Sequence, residues 1–236
     1  MNTKQIIKKT WLYDLFIAYL NYKKRKHNAR LAESFLREGE AVLRLFSEAL
    51  FSENIKFWLD YGTLLGYHRE HDFIKHDTDI DTGAFIEDAE RIEKVLKSHG
   101  FRLVRYYRNQ DGSGIEHCYC KEGFSTTIDV FYYKRDEKSV TCYSYYPFPH
   151  TNIEKNLFKE IPFTTFSIVM PFSGLKETTF KGIKVYVPIE IEDYLVANYG
   201  PHYMIPDPDF NPFEATNIRK YTYEEKPAIG YLEIPY

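Results

Sequence analysis

Residues 60–81 read DYGTLLGYHREHDFIKHDTDID, and the last six of them, HDTDID, crowd like charges. Asp77, Asp79 and Asp81 alternate with Thr78 and Ile80. Like charges held this close repel one another unless a cation sits among them. In a strand, side chains alternate between faces with period two. The three carboxylates then share one face, while Thr78 and Ile80 take the other, with Ile80 anchoring the strand in a core. The acidic face offers oxygen ligands to a hard divalent ion, and Mg2+ takes one or two protein carboxylates together with substrate phosphate oxygens. The plainer alternative is a solvated acidic loop, for instance at a helix N-terminus.

Upstream, KFWLD (residues 56–60) reads as a strand entering a turn at Gly62. Gly62 and Thr63 form a step where backbone N–H groups and a hydroxyl can approach a phosphate closely, and Gly66 allows a second approach. Arg69 adds positive charge, with His68 and His71 beside it; the alternative for each is an exposed loop residue without a ligand. TTIDVFYY (126–133) supplies a third carboxylate. Asp129 interrupts a β-branched and aromatic strand, sharing a face with Thr127 and Phe131. A charge there is costly unless it is paired or metal-bound, or unless that face meets water.

Outward from this stretch, residues 31–51 read as a long helix. Leu31, Phe35, Val42, Leu45, Phe46, Ala49 and Leu50 supply its apolar faces. EDAERIEKVLKSHG (87–100) is a second helix, striped by Ile92, Val95 and Leu96 and closed at Gly100. FRLVRYY and IEHCYC flank RNQDGSG as a hairpin, and STTIDVFYY and SVTCYSYY flank the charged turn KRDEK. TTFSIVM and KGIKVYVP are further strands, and IEIEDYLVANYG (189–200) is a helix ending at Gly200. From Pro206 onward, Pro, Asp and Tyr dominate, and the tail is expected to wrap the surface. The order predicts an α+β fold, a mixed β-sheet packed with helices. Two segments are expected: an amphipathic and basic helical stretch over residues 1–30, and a single catalytic domain over 31–236.

Composition narrows the function. The chain has 236 residues, 44% hydrophobic, with a net charge of −3. That charge argues against nucleic acid as a partner. Aromatic residues make up 17%, and 21 of them are Tyr, which suits half-buried strands and grooves for polar ligands. Three cysteines build no disulfide framework and suit a reducing compartment. HCYC (117–120) is better read as a strand than as a zinc site, because structural zinc calls for paired cysteine spacing. WLYDLFIAYL (11–20) is about half the ~20 residues a membrane-spanning helix needs, and it contains Asp14. Leu12, Leu15, Phe16, Tyr19 and Leu20 recur at helical spacing, and KKRKHNAR (23–30) follows. Residues 11–30 therefore either pack on the domain with a solvated basic end or touch an anionic membrane surface. The expected location is cytoplasmic, with peripheral contact at the inner face of the membrane in the second case.

These motifs carry a resemblance. WLDYGTLLGYHREHDFIKHDTDID (58–81) resembles the hallmark of the LicD/fukutin family: a strand, Gly-Thr-Leu-Leu-Gly, an Arg, and an acidic strand ending Asp-hydrophobic-Asp. IDVF (128–131) is similar to the family's second acidic strand, and FKGIKVYVPIEIEDYLVANYGPHYMIP (180–206) to its C-terminal block. Lys75 and His76 depart from the usual Pro-Trp, Thr78 from a further Asp, and Glu70 from a His.

The resemblance implies a nucleotidyltransferase-like fold. It also implies transfer of a phospho-alcohol group, such as phosphocholine, ribitol phosphate or glycerol phosphate, from a CDP-activated donor to a glycan hydroxyl. CMP would be released, in the setting of surface polysaccharide synthesis such as capsule or lipopolysaccharide modification. Asp79 and Asp81 would hold Mg2+ or Mn2+ against the pyrophosphate. Asp129 would complete the metal shell or accept the acceptor's proton. Gly62, Thr63 and Arg69, with Gly66 beside them, would meet the phosphates. Two rival readings remain at this point: transfer of a nucleoside monophosphate to a small acceptor, and an inactive member that binds glycan.

Overall fold

A single helix, α1 (Thr3–Ser52), leads into the sheet. In the computed structural model, residues 3–149, 151–207, 210–211 and 215–234 are described; between residues 3 and 27 the only side chains described are Ala18 and Lys26. The apolar stripe expected at Leu12, Leu15, Phe16, Tyr19 and Leu20 lies outside the described side chains. Toward the other end of α1, Phe35, Val42, Leu43, Phe46 and Leu50 are fully buried. Their spacing of three, four and seven is that of a helix with one face on a core. No helix among the described residues is long and apolar enough to cross a membrane.

The chain continues through β1 (Phe57–Leu59), α2 (Tyr61–Arg69), β2 (Asp79–Phe85), α3 (Ala89–Ser98), β3 (Phe101–Asn109) and β4 (Ile115–Lys121). Then come β5 (Thr127–Arg135), β6 (Ser139–Pro147), β7 (Glu160–Pro171), β8 (Leu175–Phe180), β9 (Ile183–Pro188), α4 (Ile191–Tyr199), β10 (Ile218–Lys220) and β11 (Ala228–Leu232). The strands make one 11-stranded sheet in the order β10-β7-β11-β3-β4-β5-β2-β1-β9-β8, with β6 joining β5 to β7. β2 runs parallel to β5, and β1 parallel to β9; the other pairs are antiparallel. The expected mixed sheet packed with helices is what the chain forms.

Because β6 pairs with both β5 and β7, the strands β5, β6, β7, β11, β3 and β4 close on themselves. A small second core of Tyr107, Tyr145, Phe163, Ala228 and Leu232 gathers at this closed part. The larger core lies between the sheet and α1 and α3, where Ile80, Ile128 and Val130 meet Phe46, Leu50, Ile92 and Leu96. Close packing is visible at Gly83, where a Cβ would stand 2.3 Å from Cε2 of Trp58.

Two expectations are corrected. The step at Gly62 is not an open turn but the first turn of α2. Asp60 caps that helix, its Oδ1 accepting from the Tyr61 N–H at 2.9 Å; a short acidic side chain at this position satisfies a free helix donor. The tail does not simply wrap the surface. β11 sits between β3 and β7, and β10 adds to the far side of β7.

Candidate active site

β2 and β5 carry the acidic face. Their parallel register sets Asp79 beside Thr127, and Asp81 beside Asp129. Ile80 is fully buried on the helix-covered side, so the alternation read from the sequence holds. Asp129 is 9% exposed and lies mid-strand. Asp77 precedes β2, yet its carboxylate converges with that of Asp81: a Cβ on Gly62 would meet Asp77 Oδ2 at 3.0 Å and Asp81 Oδ2 at 3.2 Å. Glycine is thus the residue that lets α2 start against two carboxylates, and the Gly62 N–H donates to Asp81 Oδ2 at 3.1 Å.

The remaining candidates divide. Arg69 and Gly62 line a cavity of about 910 Å³ together with His76, Asp77, Tyr199 and Tyr203. Arg69 is held there by Glu70, at 2.8 Å, and by the carbonyl of Tyr203, at 3.4 Å. Thr63 is turned away from this cleft. It is 1% exposed, and its Oγ1 accepts from the Asp81 N–H at 2.9 Å, tying α2 to β2. Gly66 is also buried, packed where a Cβ would stand 2.6 Å from the Asp72 carbonyl oxygen. Both therefore position the loop and helix rather than face the cavity. His68 packs on Tyr203, whose hydroxyl lies 3.2 Å from its Nε2, and His71 is exposed.

Three groups that sequence reading passed over complete the neighbourhood. Arg105 on β3 is 6% exposed, and its Nη2 reaches Asp129 Oδ1 at 3.4 Å. Glu116 on β4 is 8% exposed, and among the described residues its Oε2 has no hydrogen-bond partner. Asp60 is fully buried and accepts from the hydroxyls of Tyr133, at 2.6 Å, and Tyr194, at 3.1 Å. The signal for Arg105 was hidden by a β-bulge. The pairing passes from Leu103–Tyr119 directly to Arg105–Cys118, so two residues of β3 oppose one of β4 and the face flips. Strict alternation would have put Arg105 with Phe101 and Leu103 on the helix side.

Electrostatics follow from this crowding. Burial, then the charges of Asp129 and Asp77, push Asp79 up, with Arg105 pulling the other way. Burial, then Asp79 and Asp129, push Asp81 well above the carboxylate range. Burial lifts Asp77 to about 6, opposed by His76 and Arg69. Burial lifts Asp60 to about 7 against its three donors. Glu116 is raised by burial and then by Asp129. Cations among such groups are favoured by the same repulsion.

Among the described residues no three His, Cys, Asp or Glu side chains are placed to grip one ion together as they stand. The donor set still has the chemistry of a hard-cation site: short carboxylates on paired strands, gathered around one buried guanidinium. HCYC forms part of β4, with Cys118 buried and facing Asp129 across the strand pair.

Comparison with known proteins agrees with the motifs. A ribitol-5-phosphate transferase, FKTN, of Mus musculus is 28% identical over 173 residues, covering 73% of this chain and 34% of the mouse protein. The chain therefore spans about a third of that relative's length. An uncharacterized protein, RP689, of Rickettsia prowazekii is 28% identical over 157 residues, 64% of this chain and 52% of that protein. A crystal structure of the lincosamide antibiotic adenylyltransferase LnuA with lincomycin bound superposes on 61% of this chain and 75% of its own, at 14% identity and a TM-score of 0.37. The family described as LicD/FKTN/FKRP, nucleotidyltransferase domain, matches residues 54–190, more than half the chain and the stretch from just before β1 to just before α4. The chain belongs to the LicD/FKTN/FKRP family.

Proposed function

We propose that the chain transfers a phospho-alcohol group from a CDP-activated donor to a glycan hydroxyl, on a nucleotidyltransferase-like fold. One observation carries this reading more than any other: Asp77 and Gly62 line a cavity large enough for a nucleotide, and Asp81, which meets Gly62, stands beside Asp129 in the strand register with Asp79 on the same face. Family membership and the likeness to a ribitol-5-phosphate transferase support the class of reaction.

In this reading the donor lies in the cleft with its diphosphate toward Gly62 and Arg69. Asp79, Asp81 and Asp129 would hold Mg2+ or Mn2+, which when bound supplies neutralisation of the diphosphate and of the leaving CMP. Thr63 and Asp60 hold α2 and β2 in register, so that the Gly62 N–H and the acidic face keep their distance. Arg105 tethers Asp129 and balances part of the acidic charge. The acceptor oxygen forms the new bond to phosphorus as the bond to the CMP oxygen breaks, and the acceptor's proton leaves to a carboxylate. Little covalent work falls to the protein; alignment and charge do most of it.

The test is incubation of the full chain with CDP-ribitol, CDP-glycerol and CDP-choline, Mn2+ and a glycan panel, with CMP and the glycan product followed by mass spectrometry. The reading predicts free CMP and a phosphodiester on the glycan. Pyrophosphate release from a nucleoside triphosphate, with a nucleotidylated acceptor, would replace it with the nucleotidyl-transfer reading.

A further inference from the structure

The residue that caps α2 is held by several elements at once. Asp60 is fully buried. Its N–H donates to the Asp81 carbonyl at 3.1 Å, and its own carbonyl accepts from the Leu64 N–H at 2.9 Å. Its Oδ1 accepts from the Tyr61 N–H at 2.9 Å and from the hydroxyl of Tyr194, on α4, at 3.1 Å. Its Oδ2 accepts from the hydroxyl of Tyr133, on β5, at 2.6 Å. The Tyr194 oxygen in turn accepts from Trp58 Nε1 at 3.4 Å and lies 3.2 Å from the Tyr133 hydroxyl. Tyr133 is fully buried and Tyr194 is 1% exposed. Asp60 thus joins β1, α2, β5 and α4 to β2, the strand that carries Asp79 and Asp81.

A helix cap alone does not call for this. Serine, asparagine or an exposed aspartate caps a helix as well, whereas taking a carboxylate out of water is unfavourable even when donors surround it. The backbone beyond Asp60 points to placement rather than stability. Tyr61 takes φ +36, strained for a bulky residue, and such strain persists where the surroundings over-determine it. The Gly62 N–H donates to Asp81 Oδ2 at 3.1 Å, and Thr63 Oγ1 accepts from the Asp81 N–H at 2.9 Å. With the Asp60 N–H on the Asp81 carbonyl, the first turn of α2 grips Asp81 by its N–H, its carbonyl and its carboxylate. The direction of the Asp60 carboxylate sets that turn, and the two tyrosine hydroxyls set the direction. Tyr194 also brings in a wall of the cleft. α4 is nine residues long, and its last residue, Tyr199, lines the cleft with Gly62 and Arg69. The same short helix carries a cleft wall at its end and a hold on α2 in its first half.

We propose that Tyr194 is a positioning residue of the transfer reaction. Its hydroxyl, together with that of Tyr133, fixes Asp60 so that the Gly62 N–H and the Asp81 carboxylate meet the diphosphate at one separation. The proposal rests on the phospho-transfer reading in taking Asp81 to act on the donor. Both tyrosines act through Asp60.

The test uses the full chain and two substitutions that keep the ring and remove the hydroxyl, Tyr194→Phe and Tyr133→Phe. The second guards against a first that fails to fold. Amide exchange followed by NMR reports on the first turn of α2 without any ligand. The Gly62 and Leu64 amides should exchange about tenfold or more faster in each variant, equivalent to 1.4 kcal/mol, while the amides of β3 and β4 keep their wild-type rates. Titration of CDP with Mn2+ and with chelator reports on the acids. The gain in CDP affinity that Mn2+ brings should shrink about fivefold or more, the scale of one hydrogen bond. CDP affinity in chelator should stay within about twofold, well under the tenfold that marks 1.4 kcal/mol. Exchange that rises evenly over the sheet would mean that the hydroxyls serve stability alone, and would overturn the proposal. So would faster exchange at Gly62 with an unchanged Mn2+ gain, no change in either, or loss of folding in both variants. A local rise in exchange, in a protein whose wild type shows no Mn2+ gain, would sustain the hold of Tyr194 on α2 and remove the donor reading instead.

Discussion

Asp79 shows how far single residues can be read. Its place on a face with Asp81, opposite buried Ile80, follows from period-two alternation alone, and the structure keeps it. The same rule failed for Arg105, because the bulge between Leu103 and Arg105 turns one side chain over. Glu116 was hidden differently: nothing local distinguishes a charge that faces the closed part of the sheet from one that faces water. Asp79→Asn should lower turnover at least about 100-fold, the scale seen when one preorganised charge-stabilising group is lost. In chelator its melting temperature should not fall, since the change removes one of several like charges. Differential scanning fluorimetry checks this, and a cooperative loss of structure would show that the carboxylate serves the fold. Gly62→Ala tests the neighbouring contact. A Cβ 3.0 Å from Asp77 Oδ2 must push the acids aside, so turnover should drop about tenfold or more from misplacement alone. A variant with wild-type kcat/KM would show that this close approach does not matter.

At the scale of elements, helices and hairpins were legible wherever a local pattern carried them. α3 and its stripe of Ile92, Val95 and Leu96, the β3–β4 hairpin, and the end of α4 at Gly200 all match their periodicity and turn residues. The start of α2 was misread because Gly-Thr after a strand suits either a turn or a capped helix, and the buried partners of Asp60 that favour the cap lie far along the chain, at Tyr133 and Tyr194. The joint between α1 and the β4–β5 loop offers a pH test. Glu38 accepts from Ser125 N, at 2.7 Å, Ser125 Oγ, at 2.9 Å, and Thr126 N, at 3.1 Å. Partial burial pulls its carboxyl up, but these donors together with Arg37 outweigh that and hold it at about 2, below an ordinary 4.5. A folded-state pKa below the unfolded one means that the stabilisation is complete above pH 4.5 and is lost as pH falls toward 2. Glu38→Gln should therefore cost about 1.5–3 kcal/mol at pH 7, the worth of hydrogen bonds to a charged group, and less as the pH drops. Urea titrations at pH 7 and pH 3 measure this; an equal cost at both would contradict the assignment.

The whole molecule was the least legible, because its closure depends on partners distant in sequence. β11 is five residues of mixed character, Ala-Ile-Gly-Tyr-Leu, in a tail rich in Pro and Tyr. Nothing within it announces a place between β3 and β7, which only the assembled sheet creates. A chain ending at Lys226 should leave both neighbours unpaired along that side and fail to give a dispersed amide spectrum. Cooperative folding of that shorter chain would mean that the closed part of the sheet is dispensable. The same closed region brings Arg105, Glu116 and Asp129 together, so the acidic site belongs to the tertiary fold as much as to the motif around Gly62.

The acids of β2 and β5 should bind a nucleotide diphosphate through a divalent ion. Isothermal titration of CDP into the full chain, with Mn2+ and with chelator, and repeated for Asp79→Asn, measures this directly. CDP should bind at least about tenfold more tightly with Mn2+, a difference of 1.4 kcal/mol or more, and Asp79→Asn should erase that difference. CDP binding of equal strength with and without the ion, unchanged by Asp79→Asn, would contradict it.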